Sequence, residues 1–180
     1  MAKDFKDLIH IFEAVRDALD EVLPQAATSV SLAAKGLAQK TIQERGFGET
    51  YSTNEIPIWF MTGRGKSKRG EAFLEAEKKK GRTTAAYYEF RQAEGLQTKF
   101  VDLTFSGEMW RGMFPREVEV QGNYYIAPLG CNTKAGQDKL NWQYERYGNF
   151  FADVLKGDNL KKMYQVANDE IYRLLLEKIG

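Results

Sequence analysis

The stretch that decides the fold begins with YYEFRQAEGLQT at residues 87–98 and ends with WQYERYG at residues 142–148. Tyr, Trp and Phe recur throughout it, and these side chains bury the largest apolar areas that a protein core can use. Within it, residues 101–105 alternate between apolar and polar side chains, which is the period of a half-buried strand. We therefore expect the main core of the chain to form around residues 87–148.

Turn and cap signals divide the rest of this stretch into short elements. Ser106 is placed to cap a short helix over residues 107–113. Two alternating runs on either side of Gly122 and Asn123 predict a β-hairpin. Residues 134–147 have the composition of a helix, and a glycine follows them. The residues predicted to share one core are Leu103, Met109, Trp110, Tyr125, Ile126, Trp142 and Phe150.

Long helices flank this stretch in the sequence. Apolar residues follow helical spacing from residue 5 to residue 22. Pro24 lacks an amide hydrogen and clashes with the preceding turn, so we expect a kink or break there and a second helix over residues 25–43. The same spacing over residues 159–178 predicts a C-terminal helix. The predicted fold class is α+β, with long N-terminal helices, an extended basic arm, a small and mostly antiparallel sheet with flanking helices, and a C-terminal helix.

A glycine-rich and basic segment separates the N-terminal helices from the aromatic stretch. Residues 61–82 hold eight Lys or Arg and three Glu, a local charge of +5 in a chain whose net charge is +1. Residues 71–80 have helical composition, but the segment offers little apolar surface to offset the entropy of ordering. We therefore expect residues 62–82 to be the least ordered part of the chain. The interface candidates in this arm are Arg64, Lys66, Lys68, Arg69, Lys78, Lys79, Lys80 and Arg82.

The sequence leaves the role of this arm open. A phosphate-binding P-loop needs a glycine five positions before Gly65, where Phe60 stands instead. The remaining alternatives are a solvated, mobile loop and a loop that meets DNA, phosphate or an acidic protein surface. The extended residues 51–61 are expected to cover a sheet edge on a neighbouring subunit.

For domain organisation, the sequence predicts a single domain over residues 1–180. Within it, residues 1–86 are expected to form a helical region with the mobile arm. Residues 87–180 are expected to form an α+β core with the C-terminal helix.

The composition of the chain argues against several kinds of covalent, metal and catalytic site. The single cysteine, Cys131, excludes an internal disulfide, and the single histidine, His10, excludes the usual zinc clusters. Motifs for nucleophilic triads, zinc hydrolysis and dinucleotide binding are missing, so we expect no catalysis and no cofactor, although carboxylate pairs remain open. A charge of +1 gives no global attraction to nucleic acid or membrane, and no signal peptide or membrane span is predicted. We expect the protein to be made in the cytoplasm.

Five short motifs follow one another along the chain. They are IQERGFG at 42–48, YEFRQAEGLQT at 88–98, VDLT at 101–104, SGEM at 106–109 and ERYGNFF at 145–151. With these motifs in this order, the chain resembles a group of tailed-phage and prophage structural proteins. They are of the tail-completion or neck type, which is related to the virion-morphogenesis family. The resemblance covers residues 40–155.

This resemblance implies a non-enzymatic virion protein that assembles in a ring at the junction of capsid and tail, or at the tail end near it. Its implied partners are copies of itself and other capsid, connector or tail proteins, and its implied location after assembly is the virion. The +5 segment on a body of net charge −4, the difference from the total of +1, suggests head-to-tail association. The alternative is a nucleic-acid-binding module in which residues 64–82 follow phosphates.

Overall fold

The computed structural model of the chain describes residues 5–51, 53–62, 67–103 and 107–179. The predicted α+β class is confirmed. The helices are α1 (Phe5–Arg45), α2 (Ile58–Met61), α3 (Lys68–Lys79), α4 (Tyr87–Ala93), α5 (Glu108–Gly112), α6 (Lys134–Tyr147), α7 (Phe150–Val154) and α8 (Asp158–Ile179). The strands are β1 (Glu55–Pro57), β2 (Thr84–Ala86), β3 (Met113–Pro115), β4 (Glu119–Gln121), β5 (Tyr124–Ile126) and β6 (Leu129–Cys131). Among the described residues, no helix is long and apolar enough to cross a bilayer.

The described strands pair in antiparallel sheets of two strands each. β1 pairs with β2, β3 pairs with β6, and β4 pairs with β5. In the last of these sheets Val120 lies opposite Tyr125, and Gly122 turns the chain with a φ of 62°. That φ favours glycine because it has no Cβ. The predicted hairpin is therefore confirmed.

The strand predicted over residues 101–105 does not form over residues 101–103. The Val101 amide donates to the Glu49 carbonyl at 2.9 Å and the Asp102 amide donates to the Tyr51 hydroxyl rather than to a strand, and Leu103 has a φ of 52°. A leucine in this left-handed region interrupts the extended backbone that a strand requires. Residues 104 and 105, and the predicted cap Ser106, lie outside the described residues.

The predicted break at Pro24 is wrong, because α1 continues through this residue. A proline inside a helix costs about 3 kcal/mol through the lost hydrogen bond and the clash of its ring. Val22 and Ala26 are both buried, so the turns on either side of Pro24 are held by packing. Burial of these flanking turns overrides the local preference.

The chain forms two compact units. The first contains Met1–Gln39 and Glu108–Gly180, and the second contains Lys40–Gly107. The division predicted near residue 86 falls inside the second unit. The prediction of a single domain stays a prediction.

In the first unit, α8 packs along α1. The Ser29 hydroxyl donates to a Glu170 carboxylate oxygen at 3.0 Å, and Lys178 forms an ion pair with Glu21. These contacts join segments that are far apart in the sequence. The prediction of a C-terminal helix is confirmed.

An aromatic cluster fills the core of the first unit. Met109, Trp110 and Phe150 are buried there, as predicted. The Trp110 ring packs edge-on against Phe151 with 5.9 Å between ring centroids, and Phe150 and Phe151 are 4.9 Å apart. This cluster joins α5 to α7.

Two predicted core residues lie at the surface instead. Trp142 is 53% exposed, because it lies two residues from the buried Leu140 and therefore on the opposite side of α6. Ile126 is 38% exposed and shares the outer face of β5 with Tyr124, two residues earlier.

Tyr125 is half-buried, and its hydroxyl donates to Asp20 at 3.3 Å. The seventh candidate, the half-buried Leu103, belongs to the second unit, so the seven do not share one core.

The second unit packs α2, α3 and α4 around β1 and β2. One core cluster of this unit contains Ile58, Met61, Leu74, Ala85 and Phe90. β1 is paired within the chain and α2 is anchored by two of these residues, so residues 55–61 belong to this unit, and their contact with a neighbour's sheet edge stays a prediction. The predicted helix near residues 71–80 is confirmed, and the basic arm is not extended over α3, where Leu74 packs into the core. That residues 62–82 are the least ordered part of the chain stays a prediction.

Ser67 fixes the start of α3. Its side chain accepts hydrogen bonds from the Arg69 and Gly70 amides, and its own amide donates to both Glu94 carboxylate oxygens at 3.0 Å. We expect Ser67→Ala to lower the free energy of unfolding by about 0.5–2 kcal/mol, because the helix loses its N-cap acceptor. Urea unfolding followed by circular dichroism measures this change. Ser67→Thr keeps the hydroxyl acceptor at the N-cap, so an equally large loss for Ser67→Thr would contradict the capping role.

Candidate interaction surfaces

The predicted basic segment is divided between surface charges and an intramolecular cluster around one buried carboxylate. Lys68, Arg69, Lys78 and Lys79 are exposed on α3. Arg64 and Lys66 lie outside the described residues. The two remaining candidates, Lys80 and Arg82, bind a carboxylate of the same chain.

That carboxylate belongs to Glu77, which is buried. Lys80 Nζ lies 2.6 Å from one of its oxygens, and Arg82 Nη1 lies 3.0 Å from the other. The hydrogen bond from Lys80 and the charges of both cations lower the pKa of Glu77, against the effect of burial. Lys80 and Arg82 therefore serve the fold of the second unit, and the surface charge that α3 offers to a partner is smaller than the sequence suggested.

A buried ion pair joins distant segments of the second unit. Arg91 is 1% exposed, and its Nη2 lies 3.1 Å from each oxygen of the Asp102 carboxylate. The same guanidinium donates to the Gln97 carbonyl at 3.2 Å and lies 4.1 Å from the centre of the Tyr51 ring. The Tyr51 hydroxyl donates to Asp102 at 2.7 Å. Burial, followed by this hydrogen bond, raises the pKa of Tyr51, so the phenol stays a neutral donor.

This network explains part of the motif order found in the sequence. Arg91, Gln97 and Asp102 lie in two of the motifs that carry the resemblance, and the fold brings them together with Tyr51. Each charged or polar group of the network binds another member, so its arrangement supports the fold rather than a reaction. Sequence reasoning missed it, and the available signal was an aspartate, Asp102, between two apolar residues, together with an arginine directly after Phe90.

Two aromatic rings project from α2. Trp59 and Phe60 stack with 3.9 Å between ring centroids, and they are 66% and 63% exposed. Ile58 and Met61, on the other side of this turn, are buried and hold it in place. The rings form an exposed apolar platform in the second unit.

Larger apolar surfaces lie on the two long helices of the first unit. On α1, Ile9, Ile11 and Phe12 are exposed, and no residue from 9 to 21 is buried. On α8 the exposed apolar residues are Leu160, Tyr164, Tyr172, Leu176 and Ile179. Such surfaces mark sites of protein association more often than isolated exposed residues do.

The reactive side chains singled out in the sequence have structural or surface roles. Cys131 is buried, its Sγ lies 3.7 Å from the Met109 carbonyl, and burial raises the pKa of its thiol. His10 is exposed, with Nδ1 3.5 Å from a Glu13 oxygen. In the part of the chain that the structure describes, no group of His, Cys, Asp and Glu is arranged to hold a metal ion.

Comparisons of the chain with protein families, with characterised proteins and with solved structures gave no match. Its surfaces are therefore interpreted from their own chemistry. The most extensive candidates are the exposed apolar side chains of α1 and α8.

Proposed function

We propose that this chain is a non-enzymatic structural protein of a tailed-phage virion, acting in tail completion or head-to-tail joining. It works by association with copies of itself and with other capsid, connector or tail proteins. The observation that carries this proposal is the uncovered start of α1. The resemblance of the motif order to tail-completion and neck proteins supports the virion as the setting.

The start of α1 has the properties of a helix that is stabilised by a partner. From residue 9 to residue 21 its side chains are exposed or half-buried, and Phe12 is 65% exposed. A helical segment of about 12–15 residues is marginal in water without packing. Ile9, Ile11 and Phe12 supply the apolar surface that a partner would cover.

A nucleic-acid-binding module is the alternative function. It is favoured by the stacked Trp59 and Phe60 rings together with exposed Lys68 and Arg69 in the same unit. Aromatic platforms and cations are the groups that bind single strands. This alternative predicts binding to single-stranded DNA by a monomer, with affinity that falls steeply as salt rises.

We expect the double variant Ile11→Glu with Phe12→Glu to weaken association by at least about tenfold, since burial of one large apolar side chain contributes about 1.5–3 kcal/mol. Native mass spectrometry over a range of protein concentrations measures association of the purified chain. Sedimentation of phage particles from a host that carries the gene measures incorporation, which matters if assembly requires the virion as a template.

The matched control is His10→Glu with Ala14→Glu. It adds the same two carboxylates to exposed positions in the same turns of α1 and leaves the apolar residues in place. We expect the control to associate and sediment as the unmodified chain does. The proposal is overturned if the unmodified chain stays monomeric and is also absent from purified particles.

A further inference from the structure

A row of exposed side chains along α8 has the same order of residue types when it is read from either end of the helix. Leu160, Tyr164, Asn168, Tyr172 and Leu176 lie four residues apart, and all five are exposed. Residues at this spacing form a ridge on the helix surface. Asn168 lies at the centre of the ridge, with a tyrosine four residues away and a leucine eight residues away on each side.

We propose that this ridge binds the same ridge of a second copy of the chain across a two-fold axis near Asn168. A two-fold contact uses one surface twice, so that surface must be complementary to itself. An antiparallel arrangement places Tyr164 near the partner's Tyr172 and Leu160 on the side of the partner's Leu176. The inference rests on the proposed function, since it specifies a face and a partner for a chain that acts by association. This contact is isologous and therefore differs from the head-to-tail contact that the charges of the sequence suggest.

The two rows beside the ridge define its limits. On one side, Met163, Ala167, Ile171 and Leu175 are half-buried, so this row already faces the rest of the first unit. On the other side the row is exposed and polar, with Lys161 near its start and Glu177 near its end. Lys161 and Glu177 are paired within α8, with Asp158 and Arg173 respectively, so the contact depends on the ridge rather than on this row.

Asn168 suits a position on the two-fold axis. Its amide group carries both donors and an acceptor, so it is able to form hydrogen bonds with an identical group. A polar residue at the centre of an apolar helix contact fixes register, because any shift leaves its polar groups without a partner. In α8 the sequence places this asparagine between two tyrosines rather than at an end of the ridge.

The expected packing concentrates the contact around this centre. Ridges of residues four apart pack into each other at a crossing angle of about −50°, so the helices diverge on either side of the crossing. Tyr164, Asn168 and Tyr172 therefore supply most of the interface, and the leucines lie at its margin. A tyrosine buries roughly 150–250 Å², so the four rings of a dimer, each about two-thirds exposed in the free chain, supply a large part of the roughly 1,200–2,000 Å² of a stable interface.

The charges of α8 favour a protein partner over a lipid surface. The helix carries four cations and four anions, which are Lys161, Lys162, Arg173 and Lys178, and Asp158, Asp169, Glu170 and Glu177. A helix that lies on an anionic membrane instead has a polar face rich in Lys and Arg. The balance of charge leaves the self-complementary ridge as the feature that selects the partner.

Cysteine crosslinking tests the two-fold axis directly. We propose to replace Cys131 with alanine and then Asn168 with cysteine, and to oxidise the full-length chain under mild conditions. A disulfide requires Cα atoms within about 7 Å, which the two copies of residue 168 meet only when they lie at the axis. We expect at least about tenfold more disulfide-linked dimer than for Gln165→Cys in the same background, since residue 165 is exposed on α8 but lies off the ridge.

A second variant tests the energetic role of the tyrosines. Adding Tyr164→Glu and Tyr172→Glu to the Asn168→Cys chain is expected to reduce crosslinking at least about tenfold, because charged groups replace the central rings. Thermal unfolding checks that these exposed substitutions leave the fold intact. The α8 proposal is overturned if Asn168→Cys crosslinks no more than Gln165→Cys while the unmodified chain still associates or enters particles. The proposed function itself fails only in the association and particle measurements described above.

Discussion

Replacing Trp110 with alanine is expected to lower the free energy of unfolding by about 3–5 kcal/mol, the range for fully buried aromatic residues. Trp110 is the largest fully buried side chain among the described residues, and its ring packs against Phe151 across the aromatic cluster of the first unit. Its Nε1 has no hydrogen-bond partner among these residues, so the loss comes from apolar contacts and from the cavity left behind. Urea unfolding followed by far-ultraviolet circular dichroism measures the change without relying on tryptophan fluorescence.

Trp142 provides the matched control for this substitution. It is 53% exposed on α6, so Trp142→Ala is expected to change the free energy of unfolding by less than about 1 kcal/mol. The comparison holds the chemical change constant and varies only burial. Equal losses for the two variants would show that the aromatic cluster does not organise the first unit.

Replacing Arg91 with methionine is expected to destabilise the second unit by about 3–5 kcal/mol, because Asp102 is left as a buried carboxylate without its cation. Asp102 keeps the Tyr51 hydroxyl as a donor at 2.7 Å, but one neutral donor does not replace a guanidinium that lies 3.1 Å from both oxygens. The Gln97 carbonyl also loses its donor. Chemical unfolding measured by circular dichroism tests this prediction.

A double variant separates the buried charge from the lost contacts. Arg91→Met with Asp102→Leu is expected to be more stable than Arg91→Met alone, since it removes the carboxylate that the single change leaves uncompensated. Arg173→Met serves as a control on an exposed arginine that is also paired with two carboxylates, and it is expected to change stability much less. A loss for Arg91→Met as small as that for Arg173→Met would contradict the structural role of the network.

The sequence by itself determined the elements whose signals are local. Residues 134–147 form α6 as predicted, and Gly148 ends that helix with a φ of 66°. The hairpin at Gly122 and the helical spacing of α8 were likewise predicted. A cap, a turn or a helical period depends on residues within about four positions of one another, so the sequence order records them directly.

Only the tertiary structure decided which of these elements are covered and which distant residues meet. Pro24 stays inside α1 because Val22 and Ala26 are buried, and the outward position of Trp142 depends on which face of α6 packs. The pairing of Arg91 with Asp102, and of Glu77 with Lys80 and Arg82, converts charges that look free in the sequence into internal contacts. Burial and ion pairing depend on contacts made when the whole chain packs, and local preferences of a few kcal/mol or less are overridden by that packing.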